Sequence, residues 1–190
     1  MTAFEYITIA TSLILSFSFA RTTSRFAPIF LSNSRYWVHS SWVAILVVNH
    51  LVIFFGTATN QPVEAWSFGR VCGVLVLPVC TLIVSSLAVP NNRSVRCYAS
   101  HFETIRVPFY AVWAVSIIAS AKGVYALGYR DPLGLAILIG TAAPFLAGAV
   151  ARSSAFDKAL VMLTAACYAI LLSTIWDSQL FDPKILKTPF

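Results

Sequence analysis

Apolar residues run in long stretches along this chain, broken by short polar segments rich in Asn, Pro and Arg. The pattern predicts an all-α polytopic membrane helix bundle with six transmembrane helices, at about 3–20, 37–56, 71–89, 107–127, 133–151 and 156–176. Each run approaches the ~20 helical residues that cross a hydrocarbon core of ~30 Å. Ahead of the fourth span, Val95, Tyr98, Phe102, Ile105 and Phe109 recur at helical spacing, with Arg96, Ser100, His101, Glu103 and Arg106 between them. That alternation predicts a short amphipathic interfacial helix before helix 4, lying on the membrane surface and turning into the span.

The second span, WVHSSWVAILVVNHLVIFFG, departs from the others because an apolar run carries His39, Asn49 and His50. Eleven residues at ~100° each return nearly to the same azimuth, so His39 and His50 share one helix face with Trp42, Val43 and Leu46, ~16 Å apart along the axis. Lipid offers these polar groups no partner, so they must meet protein or water. The third span has Pro78 near its middle, and Thr81 is placed to satisfy what the proline frees. The fifth repeats small residues and proline at Ala136, Gly140, Pro144 and Gly148, a spacing that suits close helix packing.

Composition narrows the picture further. Of 190 residues, 58% are hydrophobic and 11% charged, with a mean hydropathy of +0.80, so the chain reads as an integral membrane protein with no soluble domain. The net charge of +6 comes from basic residues in short loops, not from a stripe or tail, which argues against nucleic acid as a partner. Eight of them (Arg21, Arg25, Arg35, Arg93, Arg96, Arg106, Arg152 and Lys158) fall on one side of the expected bundle and five on the other. By the positive-inside rule, both termini should face outward. Ser18-Phe19-Ala20 has a small-x-small spacing, but Glu5 stands where a signal peptide would be basic, so cleavage is not expected. Cys72, Cys80, Cys97 and Cys167 form no CxxC pair and read as small core residues.

With that orientation, Glu5, Asn49, His50, Lys122 and Asp177 fall toward the outer half of the bundle and form a candidate outward-facing binding vestibule. The competing expectation is that Asn49 and His50 bond to neighbouring helices while the charged three reach separately to the interface. On the inner side, His39 and His101 begin two spans in the same leaflet, a pair that could ligate haem or a metal if those helices were adjacent. The chain has no HExxH, GxSxG or phosphate-binding glycine loop, and no paired intramembrane acids. No catalytic residue is therefore assigned.

The order of a Trp- and His-bearing second helix, a third closing in LAVP, and SHFETIRVPF opening the fourth resembles a family of small bacterial membrane proteins of uncharacterised activity. Trp37, His39, Trp42, His50, Pro78, Pro90, His101, Phe102, Arg106 and Phe109 carry the resemblance, over about a third of the chain. Phe54-Phe55 stand where that pattern has paired tryptophans. The resemblance implies a bacterial, polytopic membrane protein and brings no activity; the bundle is expected in the inner membrane. The sequence thus points to a non-enzymatic membrane protein without a cofactor that moves or senses a small solute or ion. Equally it would act as a membrane subunit of a larger assembly; its expected partners are the lipid bilayer and either further copies of itself (a homo-oligomer) or a larger membrane complex. The alternative is a histidine-dependent redox or catalytic membrane protein holding haem or a metal.

Overall fold

A computed structural model describes residues 3–57, 66–90, 95, 97–126, 132, 136 and 139–177, and among these the regular structure is entirely helical. The helices are α1 Ala3–Ser24, α2 Phe26–Leu31, α3 Trp37–Thr57, α4 Phe68–Ala88, α5 Tyr98–Ala126, α6 Ala142–Ala151 and α7 Ser154–Asp177. Four of them, α3, α4, α5 and α7, are long and apolar enough to cross a membrane. The six expected spans are therefore met for four. The first is as long as the others, but hydroxyls at positions 8, 11, 12, 16 and 18 dilute its apolar character. Of the fifth, the ten residues of α6 are described as a helix, and much of 133–138 lies outside the described residues.

Two differences from the sequence pattern have local causes. Residues 26–31 form the short α2, separated from α1 by Arg25 and leading through Ser32 into an extended turn. The last turn of α1 is closed by its own hydroxyls, with Thr22 bonding back to the Ser18 carbonyl at 2.9 Å and Ser24 to Arg21 at 2.9 Å. The amphipathic lead-in, in turn, is not a separate surface helix. It forms the first turns of α5, which runs unbroken for 29 residues, or ~43 Å. Tyr98, Phe102, Ile105 and Phe109 are buried in the bundle, so the apolar face of the lead-in packs on protein.

Helix α3 is central, touching α1, α2, α4, α5 and α7. Its Trp42 is fully buried, with ring centroids of Phe109, Tyr110, Trp113 and Phe145 5.3 to 6.0 Å away. Large rings fill the space between α3 and α5, whose backbones approach closely at few points. By contrast, α6 sits tightly against its neighbours at Gly148. A Cβ there would stand 3.1 Å from Tyr110 and 3.2 Å from both Leu160 and Phe156. Gly140, the other glycine of the small-residue pattern, has open space around it.

The outward faces are apolar: Tyr6, Ile9, Leu13 and Phe17 on α1, and Met162, Leu163 and Ile170 on α7, are exposed, as expected of surfaces in contact with lipid. Of the cysteines only Cys80 is buried, while Cys72, Cys97 and Cys167 are exposed, against the expectation of core positions. A thiol facing lipid avoids the desolvation that would exclude a charged group.

Candidate functional site

One face of α4 organises the buried polar groups. Thr81, Ser85 and Ala88 follow one another at i, i+4 and i+7, and each meets a polar side chain from another helix. Asn49 of α3 donates its amide to Thr81 Oγ1 at 3.2 Å. Ser18 of α1 bonds Ser85 at 2.9 Å. His39 of α3 donates its Nε2–H to the Ala88 carbonyl at 2.7 Å. These contacts spread over seven residues of α4, ~10 Å of its axis.

His50 joins the same file through Ser18, with Nε2 and the hydroxyl 2.6 Å apart. Its other nitrogen lies 2.5 Å from the Leu46 carbonyl, one turn back along α3. A carbonyl only accepts, so Nδ1 carries a proton. In the neutral ring Nε2 is then the acceptor, and the single Ser18 hydroxyl hydrogen points to it. If the ring gains a proton, Nε2 becomes a donor and the direction reverses, because Ser18 can pass its hydrogen to Ser85 or to the Thr81 carbonyl at 3.4 Å. Asn49 accepts at its Oδ1 from the Tyr168 hydroxyl of α7 at 2.5 Å, and Thr81 donates to the Leu77 carbonyl of its own helix at 3.0 Å. The Thr81 hydroxyl, expected to compensate Pro78, thus serves the carbonyl just before the proline. Together α1, α3, α4 and α7 are tied at the middle of α3, where His50 is 2% exposed and Asn49 6%.

The five vestibule residues are placed as follows. Asn49 and His50 are enclosed by these interhelical bonds. Glu5 is exposed near the start of α1, thirteen residues or ~20 Å of helix from Ser18, which is the α1 residue that reaches His50. The side chains of Lys122 and Asp177 lie outside the described residues.

His39 and His101 do meet. Their ring centroids are 5.5 Å apart with the planes perpendicular, Tyr98 stacks on His39 at 5.4 Å, and Phe102 stands 6.2 Å away. His39 Nδ1 and His101 Nε2 are buried and make no hydrogen bond. The Nε2 bond to Ala88 supplies one of the carbonyls that the end of α4 leaves open, and Arg21 supplies the next, reaching the Val89 carbonyl at 3.4 Å.

A third polar group was not anticipated from the sequence. Arg106 of α5 and Asp157 of α7 are both buried, with Nε and Oδ1 3.2 Å apart, although the Nε–H is not aimed along a hydrogen bond. Tyr110, one turn after Arg106, donates to the same oxygen at 3.1 Å, and an Arg106 Nη2 donates to the Ser153 carbonyl at 3.4 Å. Asp157 also occupies the first turn of α7, where the helix dipole favours a carboxylate. By sequence alone Arg106 reads as one of the loop charges that set topology. The signal that could have found the pair is Arg and Tyr four apart on one helix, facing an acid that opens another helix at the same end of the bundle.

The chain matches no protein-family model, no curated protein and no solved structure. The functional reading therefore rests on these residues alone.

Proposed function

We propose that the protein moves or senses protons within the membrane, through the file of polar groups centred on His50. The observation that supports this reading is the chain His50–Ser18–Ser85. A titratable ring buried in α3 meets the Ser18 hydroxyl, so on protonation Nε2 can donate to Ser18 while Ser18 turns its own hydrogen to Ser85 or the Thr81 carbonyl. An ionisable side chain in the hydrocarbon region is costly to keep, and such residues mark ion or proton pathways. Further along the same face of α4, toward its C-terminal end, stand His39 and His101. In this reading the protein lies in a bacterial inner membrane with both termini outside, as the excess of loop arginines suggests, and that end of the file faces the cytoplasm.

The reading is tested by reconstituting the purified chain in liposomes that enclose a pH-sensitive dye. An imposed membrane potential should acidify the interior faster than in protein-free liposomes, and His50→Gln should remove the difference. A sensor would show no flux but a pH-dependent change in tryptophan fluorescence, lost in the same variant. No flux and no His50-dependent spectral change would leave the polar file as helix packing in a membrane subunit.

A further inference from the structure

We propose that His39 and His101 form a binding site for a single copper(I) ion. The inference goes beyond the proton reading and does not rest on it. His39 is fully buried, and its Nε2–H is committed to the Ala88 carbonyl at 2.7 Å, so Nδ1 presents a bare lone pair with no donor near it. A backbone carbonyl holding the far N–H is the usual outer partner of a metal-bound imidazole, fixing tautomer and ring orientation. His101 Nε2 is likewise buried and unpartnered.

The geometry suits one ion shared by the two rings. Where His39 Nδ1 and His101 Nε2 meet one ion at nitrogen–metal distances of ~2.0–2.1 Å, centroids 5.5 Å apart would set an angle of roughly 120° between the two ligands. Haem fits less well. Tyr98 stacks on His39 at 5.4 Å and Phe102 stands 6.2 Å from it, large rings that a porphyrin would have to displace.

Donor type and charge choose the ion. Two nitrogen donors disfavour calcium, magnesium and manganese, while imidazole suits copper and zinc. Among the described residues no group of three His, Cys, Asp or Glu gathers to hold a metal. Neutral imidazoles therefore leave the ion's charge to the C-terminal end of α4, which offers about half a negative charge and is already capped by Arg21. A singly charged ion content with two or three ligands costs least in that setting.

The test uses the full chain without a polyhistidine tag, its cysteines alkylated, in micelles under reducing conditions. Copper(I) is offered from a chromogenic chelator whose colour reports what the protein withdraws. One copper per chain is expected, with affinity about ten-fold or more lower in His39→Gln and His101→Ala and unchanged in His50→Ala. Should His39→Gln fail to fold, His101→Ala still decides, since the Nε2 of that ring makes no bond to lose. Copper uptake unaffected by His101→Ala in a folded sample, no uptake at all, or equal displacement by Zn2+ would overturn the assignment.

Discussion

Asp157 opens α7 against Arg106 of α5, its carboxylate 3.2 Å from the guanidinium, with both side chains buried. The pair links α5 to α7 through side chains and also holds the Tyr110 hydroxyl. Removing one partner strands the other charge. Asp157→Ala should lower unfolding free energy by about 3–5 kcal/mol, measured by denaturant titration in micelles, and Arg106→Ala by a similar amount. The double replacement Arg106→Met with Asp157→Leu should recover most of that loss, because desolvating two charges offsets much of their attraction. Additive losses in the double variant would mean that the pair is not acting as a unit.

Gly148 and Gly140 share one sequence pattern and should respond in opposite ways. At Gly148 an added methyl meets Tyr110, Leu160 and Phe156 at 3.1 to 3.2 Å, so Gly148→Ala should cost about 1–3 kcal/mol. At Gly140 nothing among the described residues lies within 4 Å, and Gly140→Ala should stay within ~0.5 kcal/mol of the parent. Melting temperatures of the two variants in one detergent make the comparison.

Tyr168→Phe removes the donor to Asn49 and leaves the ring. Interhelical bonds in membranes contribute ~0.6 kcal/mol on average, so a loss of about 0.5–1.5 kcal/mol is expected. Asn49→Leu should cost more, since Thr81 and Tyr168 both lose their partner. A larger loss in Tyr168→Phe than in Asn49→Leu would show that the hydroxyl has another role.

What could be read from the sequence follows from where its signals are strong. Trp37–Thr57, Phe68–Ala88 and Ser154–Asp177 lie within a few residues of the expected spans, because an uninterrupted apolar run fixes a helix and its approximate ends. The meeting of His39 with His101 could be foreseen as an option, since both open helices at one end of the bundle, but adjacency is a tertiary fact that periodicity does not carry. Ser18 gave no signal of its role. A serine on an apolar helix has no periodic signature, and its value here comes from facing His50 and Ser85 on two other helices. The lead-in was separated from α5 because its charges look interfacial, yet Arg106 is held inside by Asp157, 51 positions later in the sequence.

The proton reading depends on the state of the His50 ring, which imidazole nitrogen NMR of the chain in lipid nanodiscs observes directly. At alkaline pH the account predicts the less common neutral tautomer, protonated at Nδ1 toward Leu46 and bare at Nε2 toward Ser18. On acidification Nε2 should take up a proton reversibly while the helices stay folded. A ring protonated at Nε2 when neutral, or one that remains neutral until the bundle unfolds, would contradict it.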